Sequence, residues 1–380
     1  MGELTTKANS YIKDIPAPEW DRCAGGDNPF TRHAFLLALE VSGSATAEEG
    51  WLGRHLTVWD GGEMNAALPL YLKSHSMGEY VFDHSWADAY TRAGGSYYPK
   101  LQSSIPFTPA TASKFLIKEG EDKAVYNSHL IGGLNSITKD TCASSLHLTF
   151  LPECEARKLE ENNFLIRCDQ QFHWENENYK HFDDFSSSLS SRKRKSINRE
   201  RREALKNGIE IEILTGTNIL ELHWDHFYEF YQDTGARKWG QPYLTREFFS
   251  HISASMADKI VLMMAKREGN YIAGALNFLG ADTLYGRNWG ASEHHPFLHF
   301  ELCYYQAIDF AIERGLKWVE AGAQGQHKLS RGYLPRKTYS AHYIPNIGFR
   351  DAIEHYLIHE RENVNYAIKH LNQFSPFKKN

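Results

Sequence analysis

Apolar and polar positions along this chain recur in two periods, near 3.6 and near 2, and the switches between them mark its elements. Over 298–314 the period is helical: Tyr305, Ile308 and Ile312 form one stripe, and Glu301 lies on it one turn earlier. The pattern predicts a helix whose first turn carries an acid on its core-facing side. A short apolar strand over 317–323 follows, with Glu320 sharing a face with Trp318 and Gly322. Residues 283–290 read as another strand, and the helix between the two makes them neighbours through a crossover connection.

Elsewhere 55–59 with 64–72, and 259–265 with 271–279, each read as two strands joined by a Gly-containing hairpin turn. A strand at 146–151 precedes a helix around 155–162. Residues 183–208 read as a helix or helical hairpin, with Asp183 or Asp184 as N-cap and Gly208 as the stop. Helices are predicted at 221–233, 245–256 and 350–372. Helices alternating with strands and antiparallel hairpins predict a mixed α/β sheet, not an all-parallel one.

The order of these elements repeats. Phe164-Leu165-Ile166-Arg167 stands nine residues before His173-Trp174, and Tyr333-Leu334-Pro335-Arg336 stands nine before His342-Tyr343. Each block follows a strand and a short helix, which predicts an internal duplication. The first copy carries roughly forty extra residues, including the aromatic-rich stretch 78–98. The expected organisation is an N-terminal domain over 1–182, a basic helical segment over 183–208 and a C-terminal domain over 209–380.

Length and composition fit this. A chain of 380 residues exceeds one ordinary core, and 42% hydrophobic with 23% charged residues is a globular composition. A net charge of −5 supplies no bulk attraction to nucleic acid. Five scattered cysteines without a CxxC pair speak against a disulfide framework or a zinc site. No apolar run approaches the length of a membrane span, and the expectation is a soluble cytoplasmic protein.

Candidate chemistry gathers in the last third. Glu320 is either a structural acid paired with an Arg or Lys, or a general base whose pKa is raised by burial. Gln324, His327, Lys328 and Arg331 follow the same strand end, beside glycines that allow close approach of a ligand. Glu301 is either an acid placed favourably at a helix start or a group that positions an amine. Arg287, at the end of the 283–290 strand with Trp289, either pairs with Glu320 or neutralises an anionic donor. His294, His295 and His299 suggest a metal, but Pro296 breaks their common helix face, and no metal is expected. Residues 191–202 hold seven basic residues and one acid. They form either a solvated helix or a phosphate-binding surface for a tRNA-like partner, through Arg192, Lys193, Arg194, Lys195 and Arg199.

The stretches HFELCYYQAIDFAIERGLKWVEAGAQGQHKLSRGYLP, SSRKRKSINRERR, GARKWGQPYL, QFHWEN and PLYLKSHSMGEYVFDHSWADAY resemble the FemAB-like predicted N-acyltransferases, a peptidoglycan biosynthesis or recognition family of the GNAT superfamily. The resemblance spans nearly the whole chain. It implies an α/β fold of tandem GNAT-like domains and transfer of an acyl or aminoacyl group to an amine acceptor, a small molecule or peptide such as a cell-wall precursor. It implies no tightly bound cofactor, with acyl-CoA or aminoacyl-tRNA as co-substrate. Ordinary GNAT enzymes cradle pyrophosphate in a Q/R-x-x-G-x-G/A loop; here that loop reads GASEHHPFLHFE, which disfavours coenzyme A and favours aminoacyl-tRNA. The expected active groove lies between the halves and is lined mainly by the second. In it Glu320 or His327 serves as base, Glu301 positions the amine, and Arg287, Trp289, His299, Gln324, Lys328 and Arg331 bind substrate, with His173 and Trp174 closing the site. The competing expectation is a non-catalytic module that binds cell-wall precursor or RNA.

Overall fold

The structure, a computed structural model, describes residues 3–238, 242–322 and 325–378. Its strands are β1 (Thr5–Asn9), β2 (Trp51–Gly53), β3 (His55–Asp60), β4 (Glu63–Leu68), β5 (Tyr71–Lys73), β6 (Lys100–Ser103), β7 (Leu116–Ile117), β8 (Leu146–Leu151), β9 (Leu165–Glu175), β10 (Ile209–Thr215), β11 (Ile260–Arg267), β12 (Asn270–Leu279), β13 (Thr283–Ala291), β14 (Trp318–Glu320) and β15 (Leu334–Tyr343). They fold into two compact units, Met1–Asp169 with Lys337–Asn365, and Gln170–Arg336 with Tyr366–Asn380.

In the first unit β2, β5, β6 and β8 lie side by side, antiparallel except for the parallel pair β6–β8. A small antiparallel sheet, β1-β3-β4-β7, packs beside the helix Lys123–Asp140. In the second unit β10 to β13 are successively antiparallel, and β13 pairs in parallel with β14. Each parallel pair is bridged by a helical crossover, Lys123–Asp140 in the first unit and residues 298–313 in the second, as the crossover rule requires.

The predicted hairpins form. Gly61 and Gly62 turn the first at φ 56° and 101°, and Glu268 and Gly269 turn the second at φ 53° and 80°. Two successive positive φ values make the two-residue turn whose twist matches the flanking strands. The first hairpin is interrupted at Arg54 and at residues 69–70, so its tip joins the small sheet and its base the larger one.

Both units are discontinuous in sequence, unlike the consecutive segments 1–182, 183–208 and 209–380, because two strands are exchanged. The end of β15 pairs with β8 in the first unit, and the end of β9 pairs with β14 in the second. These are the two strands that carry the repeated Leu-Arg-His pattern, so equivalent strands make equivalent pairs.

Three local readings change. The strand expected over 317–323 covers only Trp318–Glu320, because Gly322 at φ 77° turns the chain away. Residues 183–208 form two helices, Phe182–Ser188 and Ser191–Ala204. His181 is the N-cap of the first, while Asp184 accepts from the Lys180 and His181 amides in a capping box. The helix over 298–314 contains a π-helical turn at Glu301–Tyr305. Among the described residues no helix is long and apolar enough to cross a membrane.

Candidate active site

β13 and β14 pair only from Thr283–Trp318 to Tyr285–Glu320; β14 then ends while β13 runs on to Ala291. Just beyond the last pair, Asn277 faces Gly286 and Leu276 faces Asn288, which leaves Arg287 as the extra residue of a β-bulge. The parallel ladder therefore ends at the carboxyl end of β14, with Glu320 as its last residue.

Glu320 is enclosed, with 14% of its side chain exposed. Burial pushes its carboxyl up to about 8, against the pull of Arg287 and with a smaller push from Asp282. Across the adjacent strand its partner in register is His173, with Nδ1 3.9 Å from Oε1. Burial, with Arg336 and Lys328 nearby, drives the His173 imidazole down to about 3. Its Nε2 lies 3.2 Å from Gln171 Oε1. Near neutral pH this is a mostly uncharged acid beside an uncharged imidazole.

Lys328, from the 3-10 helix Gln326–Arg331, lies near His173. Its ammonium donates to the Gly322 carbonyl at 2.9 Å, and burial lowers it to about 8. A third set of side chains forms an aromatic wall. The rings of Trp289 and His299 lie 5.1 Å apart, those of His299 and Tyr304 5.5 Å, and those of Phe300 and His327 5.5 Å. His327 Nε2 is 2.9 Å from the Tyr304 hydroxyl. Sequence reading missed Tyr304; the π-helical turn that aims it at His327 leaves no mark in the apolar periodicity.

Other candidates point inward. Glu301 is 0% exposed, and its Oε1 accepts from Arg201 at 3.0 Å and Gln306 at 2.9 Å; Arg201 also holds Asp309. Arg331 is buried, donates to Glu200 at 2.8 Å and lies 3.5 Å over the Phe300 ring. Trp174 is a core residue packed on Phe185 and Tyr179. Gln324 lies outside the described residues.

The helix Ser191–Ala204 sorts its charges by face. Ile197, Glu200 and Ala204 are buried, Arg201 turns in to Glu301, and Lys193 donates to Ser330 at 3.1 Å. Arg192, Lys195, Arg199 and Arg202, spaced three and four apart, form an exposed stripe that makes no ion pair among the described residues. Arg194 is half-buried.

The loop after β13, where a pyrophosphate cradle would lie, carries Glu293 bonded to Arg267 at 2.9 Å and to His295 at 2.7 Å. These hydrogen bonds hold the Glu293 carboxylate down at about 2, so it stays ionised in this loop, paired with the Arg267 guanidinium.

The sequence matches the FemAB-like family, described as peptidoglycan biosynthesis/recognition, over residues 11–379. The crystal structure of FemX is similar at 14% identity, covering 93% of this chain and 100% of that one, with a TM-score of 0.55. L-PGS from Bacillus licheniformis is similar at 9% identity over 88% of this chain and 98% of that one, with a TM-score of 0.53. The C-terminal domain of a putative lysylphosphatidylglycerol synthetase from Agrobacterium fabrum is similar at 7% identity over 88% and 93%, with a TM-score of 0.51. At these identities the likeness is one of fold. It agrees with the mixed α/β architecture expected from the sequence. No curated protein matches the sequence.

Proposed function

Because the chain belongs to the FemAB-like family, we propose that it is an N-acyltransferase that moves an activated aminoacyl or acyl group onto an amine. The favoured donor is an aminoacyl-tRNA ester, and the favoured acceptor is an amine of a cell-wall precursor or related peptide. The observation that carries this reading is Glu320: an enclosed carboxyl raised to about 8, beside His173, at the last pair of the parallel β13–β14 ladder.

The acceptor enters as an ammonium and loses one proton to solvent. The amine lone pair then attacks the donor carbonyl as the Glu320 carboxylate takes a second proton from the nitrogen, so a C–N bond forms and the ester C–O bond breaks. The departing alkoxide takes up the proton that Glu320 holds. Arg287 and Lys328 supply positive charge for the oxyanion of the tetrahedral intermediate. The aromatic wall of Trp289, His299 and His327 offers faces on which a donor's planar groups stack. An aminoacyl ester is already activated, so alignment of the two reactants contributes much of the rate.

Two observations favour RNA over coenzyme A as the carrier of the acyl group. The loop suited to pyrophosphate in acyl-CoA enzymes contains the Glu293 carboxylate, and the Arg192–Lys195–Arg199–Arg202 stripe is complementary to a phosphate backbone. Incubation of the full chain with aminoacyl-tRNA or acetyl-CoA and a peptidoglycan-type peptide amine, read by mass spectrometry, tests the reading. An aminoacylated peptide supports it; ligand retention without any acylated product refutes it.

A further inference from the structure

The first unit holds a counterpart of the Glu320–His173 pair. His147 on β8 faces His342 on β15 as Glu320 on β14 faces His173 on β9, and His147 also pairs with Gln102 on the parallel strand β6 as Glu320 pairs with Tyr285 on β13. Here, however, the connection before the parallel pair differs. In the second unit β12 turns into β13 within residues 280–282; in the first, β5 and β6 are separated by 74–99. This is the aromatic-rich stretch that the second half lacks.

The strands beneath that stretch alternate, with one irregularity between Tyr339 and Ala341. Tyr71, Lys73, Lys100, Gln102, His147, Thr149, Ser340 and His342 share one face, linked by the pairings Lys73–Lys100, Tyr71–Gln102, Gln102–His147 and His147–His342. Leu101, Leu146, Leu148 and Ala341 occupy the other face and pack into the apolar core. Such alternation belongs to a sheet with one face toward water. Yet all eight polar-face residues are buried, and both lysines are 0% exposed. Burying the Lys100 ammonium, the Lys73 amine (lowered to about 7 by burial) and two imidazoles on one sheet face is costly, and an apolar face would pack as well or better.

The cover is the segment 76–98. Its inner side chains neutralise Lys100, which donates to Ser76 at 2.8 Å, to Glu79 at 2.7 Å and to Asp83, all from the cover, while Lys73 donates to the Met77 carbonyl at 3.4 Å and lies 3.4 Å over the Trp51 ring. Asp83 also accepts from Tyr97 at 2.7 Å, and the Trp86 ring lies 4.9 Å from that of His342. The fit is incomplete. Glu79 Oε1, Asp83 Oδ1, Gln102 Oε1 and Trp86 Nε1 are buried without a hydrogen-bond partner, a condition that native interiors rarely tolerate. The outer side exposes Met77 and Phe82, and a cavity of about 700 Å³ bounded by Trp86, Tyr90, Phe349 and Ile353 undercuts the helix His84–Arg92.

We propose that this polar floor is a ligand site for a polyanion bearing phosphate or carboxylate groups, covered here by residues 76–98. The Glu79 and Asp83 carboxylates occupy the places of the ligand's anionic groups. With the cover displaced, Lys73 and Lys100 present two cations, flanked by His147, Gln102 and Thr149 as hydrogen-bonding groups. The cover's own carboxylates then compete with the ligand, and apparent affinity falls by the fraction of chains in which the cover is closed. The inference stands independently of the acyl-transfer reading.

Titration calorimetry on the full chain with inorganic pyrophosphate and with succinate tests it, together with amide hydrogen exchange. The nearly isosteric Glu79→Gln/Asp83→Asn variant should bind one of the two at least tenfold more tightly than wild type, and the tighter one identifies the anionic group. Adding Lys73→Met and Lys100→Met should abolish that binding. In wild type, the tighter-binding anion should speed exchange in 76–98 several-fold while β6 and β8 stay protected, a readout that remains should the variants fail to fold. Absence of binding to the amide variant, or exchange in 76–98 as slow as in β8 and unmoved by either anion, overturns the proposal.

Discussion

Glu320 and His173 sit opposite each other on adjacent antiparallel strands, Oε1 to Nδ1 3.9 Å, and burial drives the acid up and the imidazole down. A carboxyl near 8 is poised to receive a proton from the nitrogen of an attacking amine, because a base works best near the operating pH. Glu320 must be ionised and Lys328 charged to act, so kcat/KM should rise with pH toward about 8 and fall beyond it. Glu320→Gln should lower kcat by roughly 10²- to 10⁴-fold and flatten the rising limb. A pH–rate profile of the two proteins checks this; an unchanged limb in the variant assigns the base elsewhere.

The ion pair of Arg201 and Glu301 should govern stability, not chemistry. Arg201→Met leaves a fully buried carboxylate without its cation, at a cost of about 3–5 kcal/mol. Adding Glu301→Gln should recover much of that loss. Denaturant unfolding of both variants checks the stability effect, and kcat per folded molecule should remain within about twofold of wild type, well short of the ~10²-fold loss expected for a removed base. A Glu301→Gln variant that folds normally and loses turnover would return this residue to the reacting atoms.

Folding stability should decline in acid through the buried histidines. His55, His147 and His173 are each held near 3, against about 6.5 in an unfolded chain. Their folded values are depressed, so the unfolded chain takes up protons first as pH falls. Stability from these groups is complete above about 6.5 and drains away between there and about 3. Urea midpoints across that range should fall steadily. His147→Gln should flatten part of the slope, and a slope unaltered in that variant would contradict the assignment.

The exposed stripe predicts a salt signature. Replacing Arg192, Lys195, Arg199 and Arg202 by Gln should raise KM for aminoacyl-tRNA at least tenfold with kcat little changed. The dependence of log K on log salt should become shallower by about 0.7 for each phosphate that the helix no longer neutralises. Filter binding across a salt series measures both, and an unaltered slope would remove this helix from the RNA-binding surface.

What the sequence disclosed, and what it did not, follows the range of the interactions. The two hairpins were legible because their turns are local, set by Gly61-Gly62 and Glu268-Gly269. The β13–β14 neighbourhood was legible because a helix between two strands leaves few alternatives. The repeated Leu-Arg-His pattern marked β9 and β15 as equivalent, but their exchange of partners depends on residues far away in sequence. Glu301 was readable as core-facing; Arg201, a hundred residues earlier, was hidden in a run of seven basic residues that look alike. The extra residues of the first half were visible as an insertion. That they cover a polar sheet face required coordinates, because alternation alone reads as exposure to water.

The transfer itself is tested most directly by the product of one reaction. The full chain, incubated with aminoacyl-tRNA carrying an isotopically labelled amino acid and a peptidoglycan-type peptide amine, is followed by mass spectrometry beside Glu320→Gln. A labelled amide on the acceptor is expected with wild type, reduced at least a hundredfold in the variant. Label that stays on tRNA with wild type, or an equal yield from both proteins, would contradict the assignment of Glu320 to aminoacyl transfer.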